Sequence, residues 1–217
     1  MTGQEIITQF QFLVDSDRLA ADQELILLQK AYDRLLAKRV WNFLLVEDET
    51  NTIQSGTKTY SLPDDYLLLD YVKAYDVSEN DYRDLTLVSF RDRHDQTGKD
   101  DVLFLDTKNQ NLKFLESPDS HSGETLVIGY TYQPDQIETD TSPVFNRAYH
   151  DILSYEMARL FWYNTQDEKS RAYTDEMAQE YGALLQEMIS WDEQQSWAAD
   201  KTFMPKHDWT QTRKHGV

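Results

Sequence analysis

The sequence has no cysteine, and only seven glycines and five prolines among its 217 residues. The lack of cysteine excludes disulfides, thiol catalysis and cysteine-ligated zinc sites. The glycines form neither a G-x-G-x-x-G nor a G-x-x-x-x-G-K phosphate-binding loop, and the H-E-x-x-H and G-x-S-x-G motifs are missing as well. We therefore predict a protein that is not an enzyme, with no catalytic residue, no cofactor and no metal site.

Long apolar runs are missing too. No stretch approaches the ~18 apolar residues of a transmembrane helix. The first residues, MTGQEIITQF, lack the basic and apolar regions of a secretory signal peptide. We expect no membrane partner, and synthesis in the cytoplasm agrees with the lack of cysteine.

Basic residues are scarce, since 21 lysines and arginines stand against 39 aspartates and glutamates, for a net charge of −18. A chain this acidic repels the phosphates of nucleic acids and of anionic membranes. Two interpretations stay open: a hydrated surface that keeps the protein in solution, or a surface that surrounds DNA without holding it. Residues 198–217 differ, because four basic and two acidic residues give them +2 and leave −20 for the rest.

Four segments have the apolar spacing of α-helices. Two of them precede a change of pattern at Trp41, and two follow Pro143. The third in chain order is apolar on nearly all sides, which is typical of a buried helix. The predicted bounds are 3–14, 20–40, 145–163 and 167–191.

Between the helical pairs, short runs of alternating apolar and polar residues predict an antiparallel β block over 42–132. Turn residues separate the runs, as at Ser55-Gly56 and in the hairpin signal Lys108-Asn109. These features together favour a sheet built from short strands.

The stretch TYSLPDDYLLL, from Thr59 to Leu69, forms a corner in this block. Pro63 ends a strand because it has no N–H to donate. Asp64 and Asp65 are predicted to cap the corner by accepting hydrogen bonds from backbone N–H groups. A catalytic pair of carboxylates is the alternative interpretation.

Two histidines stand beside aspartates. His150 precedes Asp151 in the third helix, and Glu156 follows at a spacing that does not share a helical face, so metal ligation there is poorly supported. His94 lies in the charged loop 91–100, where a loosely bound divalent cation is the alternative to a hydrated loop.

The order of the segments predicts an α+β fold. A single domain over 1–195 would contain a small helical bundle, made of two N-terminal and two C-terminal helices, with the antiparallel β block inserted between the pairs. Residues 196–217 have no helical period and are predicted to be an extended C-terminal tail. Trp191, Trp197 and Trp209 fall at or beyond the last helix, where no predicted core covers them. Surplus aromatic residues serve in protein–protein contacts, and folding back onto the same chain is the alternative.

The order and spacing of these pieces resemble the head-to-tail adaptor (connector, or neck) proteins of tailed bacteriophages, over about residues 3–195. The second helix ends in an aromatic motif, here VWNFL, and the TYSLPDDYLLL corner is similar to the family's Y-x-L-P-x-D-[FY] pattern. The strand LVIGYTYQP, the helix PVFNRAYHDILSYEMARLF and the tyrosine-bearing last helix follow in the family's order. The long tail and the loop 91–100 have no counterpart in that pattern.

This resemblance implies a structural protein of the virion neck, made in the host cytoplasm. Such adaptors form a ring, usually of twelve copies, between the portal protein and a downstream tail or neck protein. Double-stranded DNA passes through the ring without sequence-specific binding, and the ring retains the packaged genome. The resemblance also implies that the C-terminal segment docks on the portal. The candidate docking residues are Trp197, Phe203, Met204, Pro205, Trp209, Arg213 and Lys214.

Two other classes of function are weighed against the ring. The first is a small non-catalytic binding or assembly module that acts as a monomer or dimer, and it predicts a fixed small oligomer. The second is a hydrolase that uses an acidic pair, and it predicts that one Asp or Glu substitution abolishes an activity without unfolding the protein.

Overall fold

The computed structural model describes residues 1–15, 19–96, 98–163 and 168–203. The chain divides into two compact units, of which the second, Leu44–Asp135, is inserted into the first, Met1–Phe43 with Gln136–Val217. The described residues contain four α-helices and two β-sheets. The predicted α+β class is therefore confirmed.

The first unit is helical. Its helices are α1 (Gly3–Val14), α2 (Ala21–Leu36), α3 (Asp151–Tyr163) and α4 (Glu168–Phe203). Thr2 and Glu5 form a capping box that satisfies free N–H groups at the start of α1. No helix in the described ranges is long and apolar enough to cross a membrane.

The core of the first unit lies where α1, α2 and α4 contact α3. The aromatic rings of Phe10 and Phe161 meet edge to face at 5.9 Å, which joins α1 to α3. Trp41 is fully buried just after α2, and its Nε1 donates to the Leu35 carbonyl at 3.2 Å. Other fully buried apolar side chains are Ile6, Leu28, Ile152, Leu153, Met157 and Met188.

The second unit consists of eight strands in two sheets. The strands are β1 (Leu45–Thr52), β2 (Thr59–Ser61), β3 (Tyr66–Asp76), β4 (Asp81–Asp84), β5 (Thr86–Val88), β6 (Val102–Asp106), β7 (Asn111–Phe114) and β8 (Thr125–Tyr132). The first sheet has the order β1-β8-β3-β4 and is antiparallel throughout. The second has the order β2-β7-β6-β5, and its β5–β6 pair is parallel. The predicted purely antiparallel block is corrected at this pair.

Both sheets of the second unit contribute to one hydrophobic core. Inward residues of the first sheet, such as Val72 and Ile128, belong to the same buried cluster as Leu103 and Leu112 of the second. Alternation along the strands explains this arrangement, because every second side chain points to the same face.

Several bounds differ from the prediction. The pieces at Asn42–Leu44 and Arg147–Tyr149 are 3₁₀ turns rather than the start of a strand and of a helix. A 3₁₀ turn at Asp92–Gln96 also interrupts the predicted loop 91–100. Helix α2 stops at Leu36, short of the predicted 40, whereas α4 continues to Phe203, past the predicted end at 191.

The corner after β2 is built differently from the prediction. The Asp65 carboxylate accepts a hydrogen bond from the Tyr130 hydroxyl at 3.0 Å, rather than from a backbone N–H. Burial, with this bond and the charge of Asp65, raises the pKa of Tyr130 to about 12. The Tyr66 N–H bonds instead to the Pro63 carbonyl at 3.2 Å. Asp65 therefore ties the corner to β8.

Candidate interaction surfaces

A buried carboxylate fixes α4 to the residues that follow α2. Asp192 is fully buried, and its two oxygens accept from the backbone N–H groups of Asn42 and Phe43, both at 3.1 Å. The Asn42 side chain donates to it at 3.2 Å, and the Arg39 guanidinium lies 3.8 Å away. The carboxylate satisfies N–H groups at the start of the 3₁₀ turn, as a helix cap does. It joins α4 to the residues that lead into the second unit.

Aromatic rings pack around this contact. The Trp191 ring lies 5.9 Å from Phe43 and 5.7 Å from Tyr149, measured between ring centroids. Phe43 also contacts Trp41 at 5.3 Å. The expectation that no core covers Trp191 is therefore wrong, because α4 passes the aromatic motif at 40–44. For this residue, the alternative of packing onto its own chain holds.

The predicted docking residues divide into two groups. Trp197 and Phe203 lie within α4, so the chain is helical rather than extended as far as Phe203. The other five lie outside the described residues, namely Met204, Pro205, Trp209, Arg213 and Lys214. Their role in portal docking stays a prediction.

A second buried carboxylate joins α2 to α3. Glu156 on α3 is 1% exposed and receives two hydrogen bonds from Arg159, at 2.7 and 2.6 Å. Arg34 on α2 reaches it at 3.4 Å. Burial and the charge of Glu156 raise the pKa of Tyr181 on α4 to about 12. These groups hold helices together and present no open site.

His150 is buried and bonded within its own unit. Its Nε2 lies 3.0 Å from the Phe145 carbonyl, and its Nδ1 lies 2.9 Å from the Met1 amino group. Nδ1 also lies 3.1 Å from the Met1 carbonyl oxygen. Burial lowers the pKa of His150 and so favours its neutral ring. Within the described ranges, no three His, Cys, Asp or Glu side chains are grouped so that they could hold a metal ion.

The second unit carries most of the negative charge. Nineteen acidic and eight basic residues between 44 and 135 give it −11 of the chain's −18. Its described surface also exposes apolar side chains, at Leu67 and Leu68, at Val77 and Tyr82, and at Leu87 and Phe90. An acidic surface with local apolar patches is suited to protein contacts, and its carboxylates repel the phosphates of nucleic acids.

Comparison with known families supports one of the classes of function. A family model described as SU10 adaptor protein matches residues 1–202. The chain belongs to this family. It is a family of phage head-to-tail adaptors, so the protein is a structural component of the virion. Membership implies contacts with portal and tail proteins and assembly into an oligomer. No curated protein matches the chain.

Sequence reasoning missed the residues that organise the adaptor's helical unit. Asp192 and Glu156 are two among 39 acidic residues, and no local pattern separates a buried carboxylate from an exposed one. Asp192 does follow Trp191 and lies on the stripe that contains Met188, which is a weak sign of an inward position. Its partners at 42 and 43 are far away in sequence and could not be identified.

Proposed function

We propose that the adaptor forms a ring, of twelve copies as the family resemblance implies, between the portal and the tail. The ring continues the DNA channel and retains the packaged genome. The match of residues 1–202 to a phage adaptor family carries this proposal. The second candidate, a module that acts as a monomer or dimer, lacks an observation of its own.

The charge of the molecule supports a channel through which DNA slides. Phosphate contacts from Lys and Arg would hold DNA and slow its passage, whereas carboxylates repel it. The net charge of −11 on the second unit makes that unit the better candidate for the wall.

The C-terminal segment is the proposed portal contact. Asp192 and Trp191 of α4 contact Asn42 and Phe43, so the residues that follow them in the chain start from a defined position. The segment 198–217 has a net charge of +2, against −20 for the rest of the chain, and contains Trp209 and Arg213. If twelve copies each supply one segment, weak contacts add up to a stable attachment.

Electron microscopy of the purified protein, alone and mixed with its portal, tests the ring. We expect rings with a central hole, or a new collar on the portal. Compact particles that ignore the portal would overturn the proposal and favour the monomeric or dimeric module.

Truncation tests the docking segment separately. One variant ends at residue 203 and another at 195, so that both keep Asp192. Both should stay folded by circular dichroism and lose binding to immobilised portal. The substitutions Trp209→Ala and Arg213→Ala should weaken binding, whereas Gln211→Ala and Thr212→Ala in the same segment serve as matched controls. Normal portal binding by both truncated proteins would exclude docking through this segment.

A further inference from the structure

The first half of β3 exposes two neighbouring leucines. Leu67 is 56% exposed and Leu68 is 48% exposed. The pairing of β3 with β8 shifts here, since Tyr66 lies opposite Tyr132 and Leu68 lies opposite Thr131. Leu67 is therefore the extra residue of a β-bulge, and a bulge re-aims side chains that regular pairing would send to opposite faces. The strand pairs with β4 only from Lys73 to Asp76, so this half also has an open edge within the described sheet.

An apolar cleft lies at the edge of the other sheet. It has a volume of about 640 Å³ and is lined by residues 87–90 and 105–108. Leu87 and Phe90 are 42% and 56% exposed. The Phe90 ring is held in place, because it meets Phe104 edge to face at 5.8 Å and the Arg93 guanidinium lies 3.7 Å above it. The cleft is thus formed before any partner arrives.

The charges beside the two surfaces are opposite. Asp64 and Asp70 flank the leucines, and Arg91 and Lys108 flank the cleft, all four being exposed. No ion pair in the described part of the chain includes any of these four. The acidic residue that lines the cleft is already bonded, since Asp106 accepts from Lys113 at 2.6 Å and from Asn109 at 2.9 Å. Asp92, close in sequence to the cleft, accepts from the Ser89 hydroxyl at 2.5 Å.

The two surfaces lie on different sheets of the second unit. The leucines belong to β3 of the first sheet, and the cleft lies beside β5, an edge strand of the second sheet. Two different, complementary surfaces give a head-to-tail contact, which can close into a ring.

We infer that Leu67 and Leu68 of one copy enter the cleft of the next copy, with Asp64 and Asp70 facing its Arg91 and Lys108. This pairing rests on the proposed ring and assigns the residues of its lateral contact. A second copy is the favoured occupant because the surface that complements the cleft in charge and apolar character lies on the same chain.

The lack of native cysteine allows a direct test. A Leu68→Cys variant and a Leu87→Cys variant are mixed with portal and oxidised, so that any disulfide between adaptor chains joins two copies. We expect a cross-linked dimer of the two variants. Val77→Cys mixed with Leu87→Cys is the matched control, since Val77 is 70% exposed on the same unit. Cross-linking no stronger than this control, while the unsubstituted protein forms rings, would overturn the pairing and leave the ring intact.

Charge reversal tests the flanking residues. Asp64→Lys with Asp70→Lys, or Arg91→Glu with Lys108→Glu, should each lower the yield of rings about tenfold, because like charges then face each other. All four changes in one chain restore opposite signs and should restore the rings. Failure of the fourfold variant, with each chain folded by circular dichroism, would contradict the pairing. If the unsubstituted protein forms no ring at all, the proposed function fails as well.

Discussion

At the scale of single residues, buried polar groups of the helical unit form bonds that the sequence does not reveal. Asp192 satisfies two backbone N–H groups far away in sequence, and His150 bonds through both ring nitrogens. A buried polar group of this kind adds little to the free energy of unfolding when it is hydrogen-bonded. It lowers that free energy strongly when its partner is removed. The two residues therefore give clear tests of the fold.

Replacing Asp192 by Ala should lower the free energy of unfolding by about 2–4 kcal/mol, since it leaves two partly buried N–H groups without their acceptor. Urea denaturation followed by circular dichroism measures the change. Glu193→Ala is the matched control, because Glu193 is 62% exposed and pairs with the same Arg39. We expect a loss within about 0.5 kcal/mol for the control. Equal losses in the two variants would contradict the role of Asp192.

His150 should make the stability depend on pH. Burial lowers its pKa below the ordinary value of 6.5, so the unfolded chain takes up a proton more readily than the folded one. Its contribution is complete above that ordinary value and is lost as the pH falls toward the lowered one. The unfolding free energy should therefore drop between about pH 7.5 and 5.5 by more in the wild type than in His150→Gln. His94→Gln, an exposed control, should keep the wild-type slope. A slope unchanged by His150→Gln would refute the assignment.

At the scale of elements, local signals and distant contacts explain what was and was not predictable. Helix α1 has the predicted bounds 3–14 because the apolar spacing that predicts it is local. The parallel pairing of β5 with β6 depends on partners that no local pattern names. The predicted end of α4 at 191 follows the last clear apolar stripe, but its helix continues to Phe203. Among the candidate site residues, only Trp197 and Phe203 fall in the described part of the chain.

Helices α2 and α3 are joined by the charge on Glu156. Glu156→Gln leaves Arg159 without its buried anion, and we expect a loss of about 3 kcal/mol in unfolding free energy. Arg34→Gln should cost under about 1 kcal/mol, because Arg34 is about half exposed. Thermal and urea denaturation of both variants test this order, and the reverse order would contradict it.

Gly129 of β8 lies directly against the ring of Tyr71 of β3. A methyl group at Gly129 would overlap the ring of Tyr71, which lies opposite it in the pairing. Gly129→Ala should therefore cost about 1–3 kcal/mol in unfolding free energy. In a Tyr71→Ala background the same change should cost little, and a double-mutant cycle measures the coupling. Independent, additive losses would show that the ring is not the cause.

At the scale of the whole molecule, charge separates this adaptor from a DNA-binding protein. With a net charge of −18, it should not bind a labelled DNA duplex at about 150 mM salt, as measured by fluorescence anisotropy. Lowering the salt should not create tight binding either, because repulsion grows as screening falls. Binding that weakens steeply with added salt would instead indicate a basic DNA-binding surface.

The insertion of the second unit at 44–135 sets the order in which the chain can fold on a ribosome. The inserted β unit has every residue of its core once Asp135 has emerged from the exit tunnel. Helices α1 and α2 emerge first, yet α3, on which both of them pack, is made only after the β unit. The backbone N–H groups of Asn42 and Phe43 bond to the Asp192 carboxylate, which is synthesised 150 and 149 residues later. Translation therefore allows the middle of this protein to finish before its beginning, the reverse of the usual N-terminal-first order.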